Sequence, residues 1–142
     1  YHAVAMQTVV AGGPPAQRVR DVYAVALEAL RAGQAAIRPG ALGADVEEAA
    51  LGPIERFGLG DGLMMRFGYG VGVGYPPNWL ETLEMVRTTH QELHPGMVFV
   101  LHVALQPPGE PIGVVVGGTY CLTAGGLELL AGAGDVELAS LP

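Results

Sequence analysis

The sequence predicts an α+β fold in which two helices precede an antiparallel meander of strands. Two segments of the first half, 15–36 and 45–56, carry apolar residues at helical spacing. The second half consists of apolar stretches separated by turns rich in proline and glycine, as in a sheet of hairpin-linked strands. With 142 residues, the chain is expected to form a single domain, 1–142, around one core.

The first half is expected to hold an opening strand and the two helices. Residues 1–11 are rich in valine and alanine and end at a Gly-Gly-Pro-Pro turn, which predicts a strand. The first helix is predicted over 15–36, because proline suits a first helical turn. The second is predicted over 45–56, with Asp45 as its N-cap and a kink or an early stop at Pro53.

The strands of the second half are predicted over four stretches, 63–74, 97–105, 112–122 and 127–130. Pro-Gly and Gly-Gly turns between them favour antiparallel neighbours. The polar segment 78–93 is interpreted as a lid or an insertion, because it interrupts the apolar stretches. Residues 134–142 are expected to be a frayed tail.

Glycine occupies every second position of the stretch 68–74. In a strand this pattern leaves one face without side chains and places tyrosines and valines, from Tyr69 to Tyr75, on the other. Each glycine costs about 0.5–1 kcal/mol relative to alanine, so four of them require a packing or a binding reason. The Pro-Pro pair at 76–77 is expected to end the strand pairing.

Composition excludes several classes of function. The chain has seven arginines, no lysine and fourteen acidic residues, and its net charge of −7 argues against a nucleic-acid partner. The absence of lysine excludes a Schiff base and a P-loop. Ser140 is the one serine and Cys121 the one cysteine, which argues against a serine hydrolase, a disulfide framework and a cysteine-rich metal site.

No apolar run reaches the roughly 20 residues that a membrane helix needs, and no basic segment precedes an apolar one at the start. We therefore expect no membrane partner and a cytoplasmic protein. The absence of an initiator methionine suggests that the sequence is a portion of something longer.

The glycine-rich stretch also carries a family resemblance. Residues 68–72 are similar to the Gly-His-Gly-x-Gly strand of the creatinase, aminopeptidase P and prolidase family, with Tyr69 in place of the histidine. The stretch more closely resembles the ectoine hydrolase branch, whose pattern is roughly Gly-Tyr-x-Ile-Gly-x-x-Tyr-Pro-Pro-Asp-Trp-Gly-Glu. Asn78 and Leu80 depart from that pattern.

Further motifs follow in the family's order: Tyr1-His2, Arg38-Pro39-Gly40, Leu93 to Phe99 and Thr119 to Gly126. The resemblance therefore covers nearly the whole chain. It implies a pita-bread, catalytic-type domain, in which two main helices pack on one face of a curved antiparallel sheet. It also implies a hydrolase or an Xaa-Pro-peptidase-like protein, and a homodimer.

The metal ligands that the family uses are missing from this sequence. Its metallopeptidases hold two metal ions with two Asp, one His and two Glu on strands. The visible positions fall near Val4 and on Tyr69, His102 and Gly117. We expect every acidic residue to lie in a predicted helix, a turn, the segment 78–93 or the tail, and none within the predicted strands. We therefore expect no paired carboxylates in a sheet cleft, no metal and no cofactor.

Two hypotheses about function remain. The first is a metal-independent hydrolase that acts on a C–N bond of a small polar or cyclic compound, as the resemblance implies. Its catalytic residues would be His102, His2 and Tyr69, with one of the histidines moving the proton. Tyr75, Trp79 and Glu81 would line the substrate site.

The second hypothesis is a catalytically inactive homologue that binds a ligand or a partner. In that case His102 is a core histidine bonded to backbone, and Tyr69, Tyr75 and Trp79 are ordinary core aromatics. The cavity separates the two hypotheses, because a closed, valine-filled space indicates an inactive protein. An open cleft in which His102 and Tyr69 converge favours catalysis.

Overall fold

A computed structural model describes residues 1–75, 77–132 and 137–142, and within these ranges the chain forms two helices and seven strands. The helices are α1 (Gln17–Ala36) and α2 (Gly43–Arg56), and a short 3₁₀ turn, Gly60–Gly62, follows them. The strands are β1 (Val9–Ala11), β2 (Gly68–Val71), β3 (Leu80–Met85), β4 (Val98–Leu105), β5 (Val114–Thr123), β6 (Gly126–Gly132) and β7 (Ala139–Leu141). The predicted α+β class is therefore confirmed.

Five of the described strands form one antiparallel sheet in the order β3-β2-β4-β5-β6. Its centre is the β4–β5 ladder, which runs without interruption from the pair Val98 and Cys121 to the pair Leu105 and Val114. The antiparallel arrangement predicted from the turn sequences is confirmed for β4, β5 and β6. Strands β1 and β7 form a separate parallel pair.

The two helices and the main core lie on one face of this sheet. Alternate residues of β4, from Phe99 to Leu105, are buried in the same apolar cluster as Val22, Ala26 and Leu30 of α1. The period of two in a strand sends the residues between them to the opposite face. The opposite face of β4 therefore carries Val98, Val100 and His102, and it is the face that remains for a site.

Side chains of the neighbouring strand β3 crowd the glycines of β2. A Cβ on Gly68 would lie 2.8 Å from the Sδ of Met85, and a Cβ on Gly70 would lie 3.0 Å from the Cβ of Leu83. These glycines are therefore explained by the close approach of β3. The strand itself is shorter than the predicted 63–74, since the ladder covers Gly68–Val71.

The predicted opening strand, 1–11, is wrong for most of its length, because β1 covers only Val9–Ala11. Residues 4–8 instead run antiparallel alongside β5, with Met6 and Gly117 paired through their backbones. The Thr119 hydroxyl accepts from the Val4 N–H at 2.7 Å and donates to the Val4 carbonyl at 2.9 Å. The Thr8 hydroxyl does the same with Val115, at 2.7 and 2.8 Å, so threonine side chains replace part of a backbone ladder.

Two other predicted segments are also corrected. Segment 78–93 is not a lid or an insertion, because residues 80–85 form the edge strand β3, with Leu83 and Met85 buried. Its polar residues reflect an edge position with one buried face. In the predicted tail, residues 139–141 form β7 and pair with β1. Residues 134–136 of the predicted tail lie outside the described residues, and so does residue 76 of the Pro-Pro pair that was expected to end the strand pairing.

Helix α2 begins earlier than predicted. Leu42 is at its N-cap and makes no side-chain cap hydrogen bond, while Asp45 lies in the first turn. The helix continues through Pro53 to Arg56, so the predicted N-cap and the early stop are wrong. Pro53 is tolerated because it removes one hydrogen bond near the end of the helix.

Candidate functional site

Tyr69 and His102 meet on the sheet face that is turned away from the helices. His102 lies in the middle of β4, opposite Gly117 of β5, and Tyr69 lies on β2, opposite Val100. The two rings pack edge to face, with centroids 5.7 Å apart and planes inclined at 65°. The structure therefore brings together two of the three residues predicted as catalytic.

His102 is a buried histidine with an unsatisfied nitrogen. Its exposed fraction is 1%, and within the described residues its Nδ1 has no hydrogen-bond partner. Burial, and then the positive charge of Arg66, lowers the pKa of His102 to about 4. The imidazole is therefore neutral at physiological pH and presents one donor and one acceptor nitrogen.

A cavity of about 450 Å³ opens beside this pair. Its lining residues are Met64, Met65, Arg66, Tyr69, Trp79, Leu80 and His102. Most of this lining is apolar or aromatic, and the charged Arg66 forms an ion pair with Glu84. The cavity can hold a small molecule that packs on the apolar walls and shares a hydrogen bond with the imidazole of His102.

Trp79 lines this first cavity, whereas His2, Tyr75 and Glu81 lie at or beside a second cavity, of about 620 Å³. His2 and Glu81 line it, and Tyr75 stacks beside His2 at a centroid distance of 5.0 Å. The Glu81 Oε1 accepts hydrogen bonds from the backbone N–H groups of Val73 and Gly74, each at 3.0 Å. Glu81 therefore fixes the turn that follows β2.

An apolar cluster separates the two cavities. It consists of Tyr69, Val71 and Val100, with Val4 and Val98 packed against them. Tyr69 lines the first cavity, whereas Val71 and Val98 line the second. The predicted single site is thus divided: Tyr69, Trp79 and His102 share one cavity, while His2 and Glu81 share the other.

The residues at the family's metal-ligand positions do not fit a two-metal centre. Val4 and Tyr69 belong to the apolar cluster, and His102 stands without a carboxylate beside it in the cavity lining. A Cβ on Gly117 would lie 2.4 Å from the Leu101 carbonyl oxygen. Within 1–75, 77–132 and 137–142, no group of three or more His, Cys, Asp or Glu side chains could hold a metal ion.

The expectation that carboxylates avoid the strands is wrong in detail. Glu81 and Glu84 lie on β3, and Glu128 lies on β6. Glu81 is engaged with backbone N–H groups and Glu84 with Arg66. Glu81 and Glu84 therefore have structural partners around β3.

Sequence reasoning missed the contribution of residues 64–66, which form one wall of the first cavity. The signal in the sequence is the pair of adjacent methionines directly before the glycine-rich strand, because methionines suit adaptable binding surfaces. In the structure both are about half exposed. Leu80 was missed because its position depends on the unexpected strand β3. In the described part of the chain, no helix is long and apolar enough to cross a membrane.

Comparison with known proteins identifies the family. Residues 1–124 match metallopeptidase family M24. The chain is 33% identical over 132 residues to the ectoine hydrolase of Halomonas elongata. The aligned region covers 92% of this chain and 32% of that protein. The chain is 28% identical over 133 residues to the Xaa-Pro dipeptidase of Pyrococcus furiosus, covering 92% of this chain and 36% of that protein.

The fold is shared with solved members of the same group. The prolidase from Thermococcus sibiricus superposes with a TM-score of 0.82 at 27% identity, covering 94% of this chain and 34% of that one. The chain thus spans about a third of the length of the relatives it matches. It belongs to metallopeptidase family M24, has the pita-bread fold of that family and is related to its ectoine hydrolase branch.

Proposed function

We propose that this chain carries a metal-independent site that hydrolyses a C–N bond in a small polar or cyclic compound. The observation that carries the proposal is the convergence of Tyr69 and His102 on one cavity, with a ring-centroid distance of 5.7 Å. The relationship to an ectoine hydrolase and an Xaa-Pro dipeptidase supports hydrolysis as the reaction class.

In this proposal His102 moves the proton. Its low pKa keeps the imidazole neutral at physiological pH, so a free nitrogen can accept a proton from water as the water oxygen attacks the carbon of the C–N bond. The same proton then passes to the departing nitrogen, so one water is consumed and one amine is released. We expect slow turnover, because a pKa of about 4 makes His102 a weak general base.

The remaining residues bind and orient the substrate. The edge of Tyr69 packs against the His102 ring and fixes its plane. Met65, Trp79 and Leu80 supply apolar walls on which the body of the substrate can pack. Arg66, held by Glu84, places a positive charge at the cavity, where it can meet an anionic group of the substrate.

A second candidate function is binding without turnover. Among the residues that line the Tyr69–His102 cavity there is no carboxylate, serine or cysteine, and valines fill the space next to it. These observations favour a site that recognises the same compounds and leaves them intact. The choice between the two functions depends on whether product forms.

The test is to titrate the full chain with small cyclic amides and amidines, first by NMR for binding and then by mass spectrometry for hydrolysis. His102→Gln removes the proposed proton-transfer group, and Tyr69→Phe keeps the ring that packs on His102 while removing its hydroxyl. His94→Gln is the matched control, because His94 is exposed and lies outside both cavities. Hydrolysis that is lost in His102→Gln and kept in His94→Gln supports catalysis.

Binding that maps to Met64, Met65 and Trp79 without any product supports the second function. No binding to any compound of the panel contradicts both functions. Hydrolysis that survives in His102→Gln contradicts the proposed mechanism, because the reaction would then depend on another group.

A further inference from the structure

The second cavity, of about 620 Å³, differs in chemistry from the Tyr69–His102 cavity. Its walls come from the N-terminal segment, strands β3, β5 and β6, the end of β2 and the start of β4. The lining includes the side chains of His2, Val71, Val73, Glu81, Val98 and Leu130. The valines and the leucine make the cavity mainly apolar, while Glu81 brings a negative charge to its wall.

The hydrogen bonds of Glu81 use one oxygen of the carboxylate. Oε1 accepts from both Val73 and Gly74, each at 3.0 Å. Within the described residues, Oε2 makes no hydrogen bond and Glu81 forms no ion pair. A carboxylate held rigidly by one oxygen presents the other to a ligand at little entropic cost.

The walls on either side suit an apolar body. Val73 is 70% exposed and Leu130 is 55% exposed, so both side chains offer apolar surface to a ligand in the cavity. The His2 and Tyr75 rings pack at 5.0 Å at the edge of the same region and add aromatic surface. Aromatic surface also favours a cationic group placed over a ring face.

We propose that this cavity binds a small organic cation with an apolar body, such as an aryl or alkyl ammonium or amidinium. The cationic group would donate to the Oε2 of Glu81, and the body would lie between Val73, Val98 and Leu130. The net charge of −7 favours the approach of a cation over that of an anion. This site is separate from the Tyr69–His102 cavity, and its existence does not depend on the proposed function.

The experiment compares benzamidine, which is a cation, with benzamide, which has the same shape and no charge. Both are titrated into the ¹⁵N-labelled full chain and followed by amide NMR shifts. We expect benzamidine to shift the amides of Val73 and Gly74 and to bind at least about tenfold more tightly than benzamide, as a charge-assisted hydrogen bond predicts.

Two variants separate charge from structure. Glu81→Gln keeps an oxygen that can accept from Val73 and Gly74 but removes the charge, so the preference for benzamidine over benzamide should disappear. Leu130→Arg places a positive charge at the cavity from an exposed position and should weaken benzamidine binding by at least about tenfold. His94→Gln, at an exposed position outside both cavities, is the matched control and should leave the affinity unchanged.

Three results would overturn the proposal. The first is equal affinity for the two compounds, and the second is no binding of benzamidine. The third is benzamidine shifts confined to the amides around Met64, Trp79 and His102, which would assign the ligand to the other cavity.

Discussion

The rings of Tyr69 and His102 pack edge to face at a centroid distance of 5.7 Å, and the two residues stand at positions where the family resemblance implies metal ligands. A phenol and a neutral imidazole in this arrangement share an apolar contact. The apolar cluster of Tyr69, Val71 and Val100 then continues this contact across the sheet. The centre of the sheet face is therefore apolar, with one cavity on each side of it.

The buried imidazole makes stability depend on pH. The pKa of His102 falls from 6.5 to about 4 on folding, so between these values the unfolded chain binds a proton that the folded chain does not. The contribution of the neutral His102 to the free energy of unfolding is fully present above pH 6.5 and is lost as the pH falls towards 4. Between about pH 7 and about pH 5 the free energy of unfolding should decrease by about 2 kcal/mol through His102.

Urea unfolding of the wild type and of His102→Gln at these two pH values measures this contribution. The wild type should lose about 2 kcal/mol more than the variant on acidification. An identical pH dependence of the two proteins would show that His102 is not held neutral in the folded state.

Gly117 cannot carry a side chain. A Cβ there would lie 2.4 Å from the Leu101 carbonyl oxygen and 2.5 Å from the His102 Cβ, both on the adjacent strand. We expect Gly117→Ala to decrease the free energy of unfolding by about 1–3 kcal/mol, because the strands must move apart. Gly117→Glu should destabilise at least as much and should not create a metal site.

Gly113→Ala is the control for this substitution, because a Cβ on Gly113 would meet no atom within 4 Å. Its effect should stay within about 0.5 kcal/mol in the same denaturation experiment. A Gly117→Ala protein as stable as Gly113→Ala would contradict the close approach of β4 and β5.

Glu47 of α2 accepts hydrogen bonds from the backbone just before β2 and just after β3. Its exposed fraction is 7%, and its carboxylate accepts from the N–H groups of Phe67 at 3.4 Å and Arg87 at 2.6 Å. Glu47→Ala leaves these two groups without that acceptor and should cost about 1–3 kcal/mol. Glu48→Ala, which removes an exposed ion pair with Arg87, should cost less than about 1 kcal/mol.

Thermal or chemical unfolding of the two variants gives the comparison directly, since the two glutamates are adjacent on the same helix. Equal losses of stability would mean that the buried carboxylate has no special role. A larger loss in Glu48→Ala would reverse the assignment.

The turn after β2 depends on Glu81. We expect Glu81→Ala to speed hydrogen exchange at the amides of Val73 and Gly74 by at least about tenfold, because both lose the carboxylate acceptor. Glu81→Gln should preserve slow exchange, since its amide oxygen can accept the same bonds. Unchanged exchange in Glu81→Ala would show that the turn is held by other contacts.

Local sequence patterns predicted the elements that depend on local interactions. Helix α1 and strands β4 and β5 follow from apolar spacing and from the turns beside them. The edge strand β3 was missed because Glu81 and Glu84 make its segment look polar, although Leu83 and Met85 already alternate with Glu84. The β1–β7 pair joins segments about 130 residues apart, for which no local pattern exists.

The site could be predicted residue by residue but not as an arrangement. His102 and Tyr69 were recognised from their motifs, and the structure places them together. The prediction that His2 belongs to the same site is wrong, because His2 lines the second cavity. The apolar cluster around Val100 separates that cavity from the one at His102. Strand register decides which side chains share a face, and register comes from the folded sheet.

The central claim is that the site works without metal, and a metal titration of the full chain tests it most directly. Mn²⁺, Co²⁺ and Zn²⁺ are added to metal-stripped protein, the melting temperature is followed, and bound metal is quantified after dialysis. We predict no saturable increase in melting temperature and no stoichiometric metal, because Val4, Tyr69, His102 and Gly117 offer no ligand set. A tightly bound stoichiometric metal that raises the melting temperature would contradict the claim.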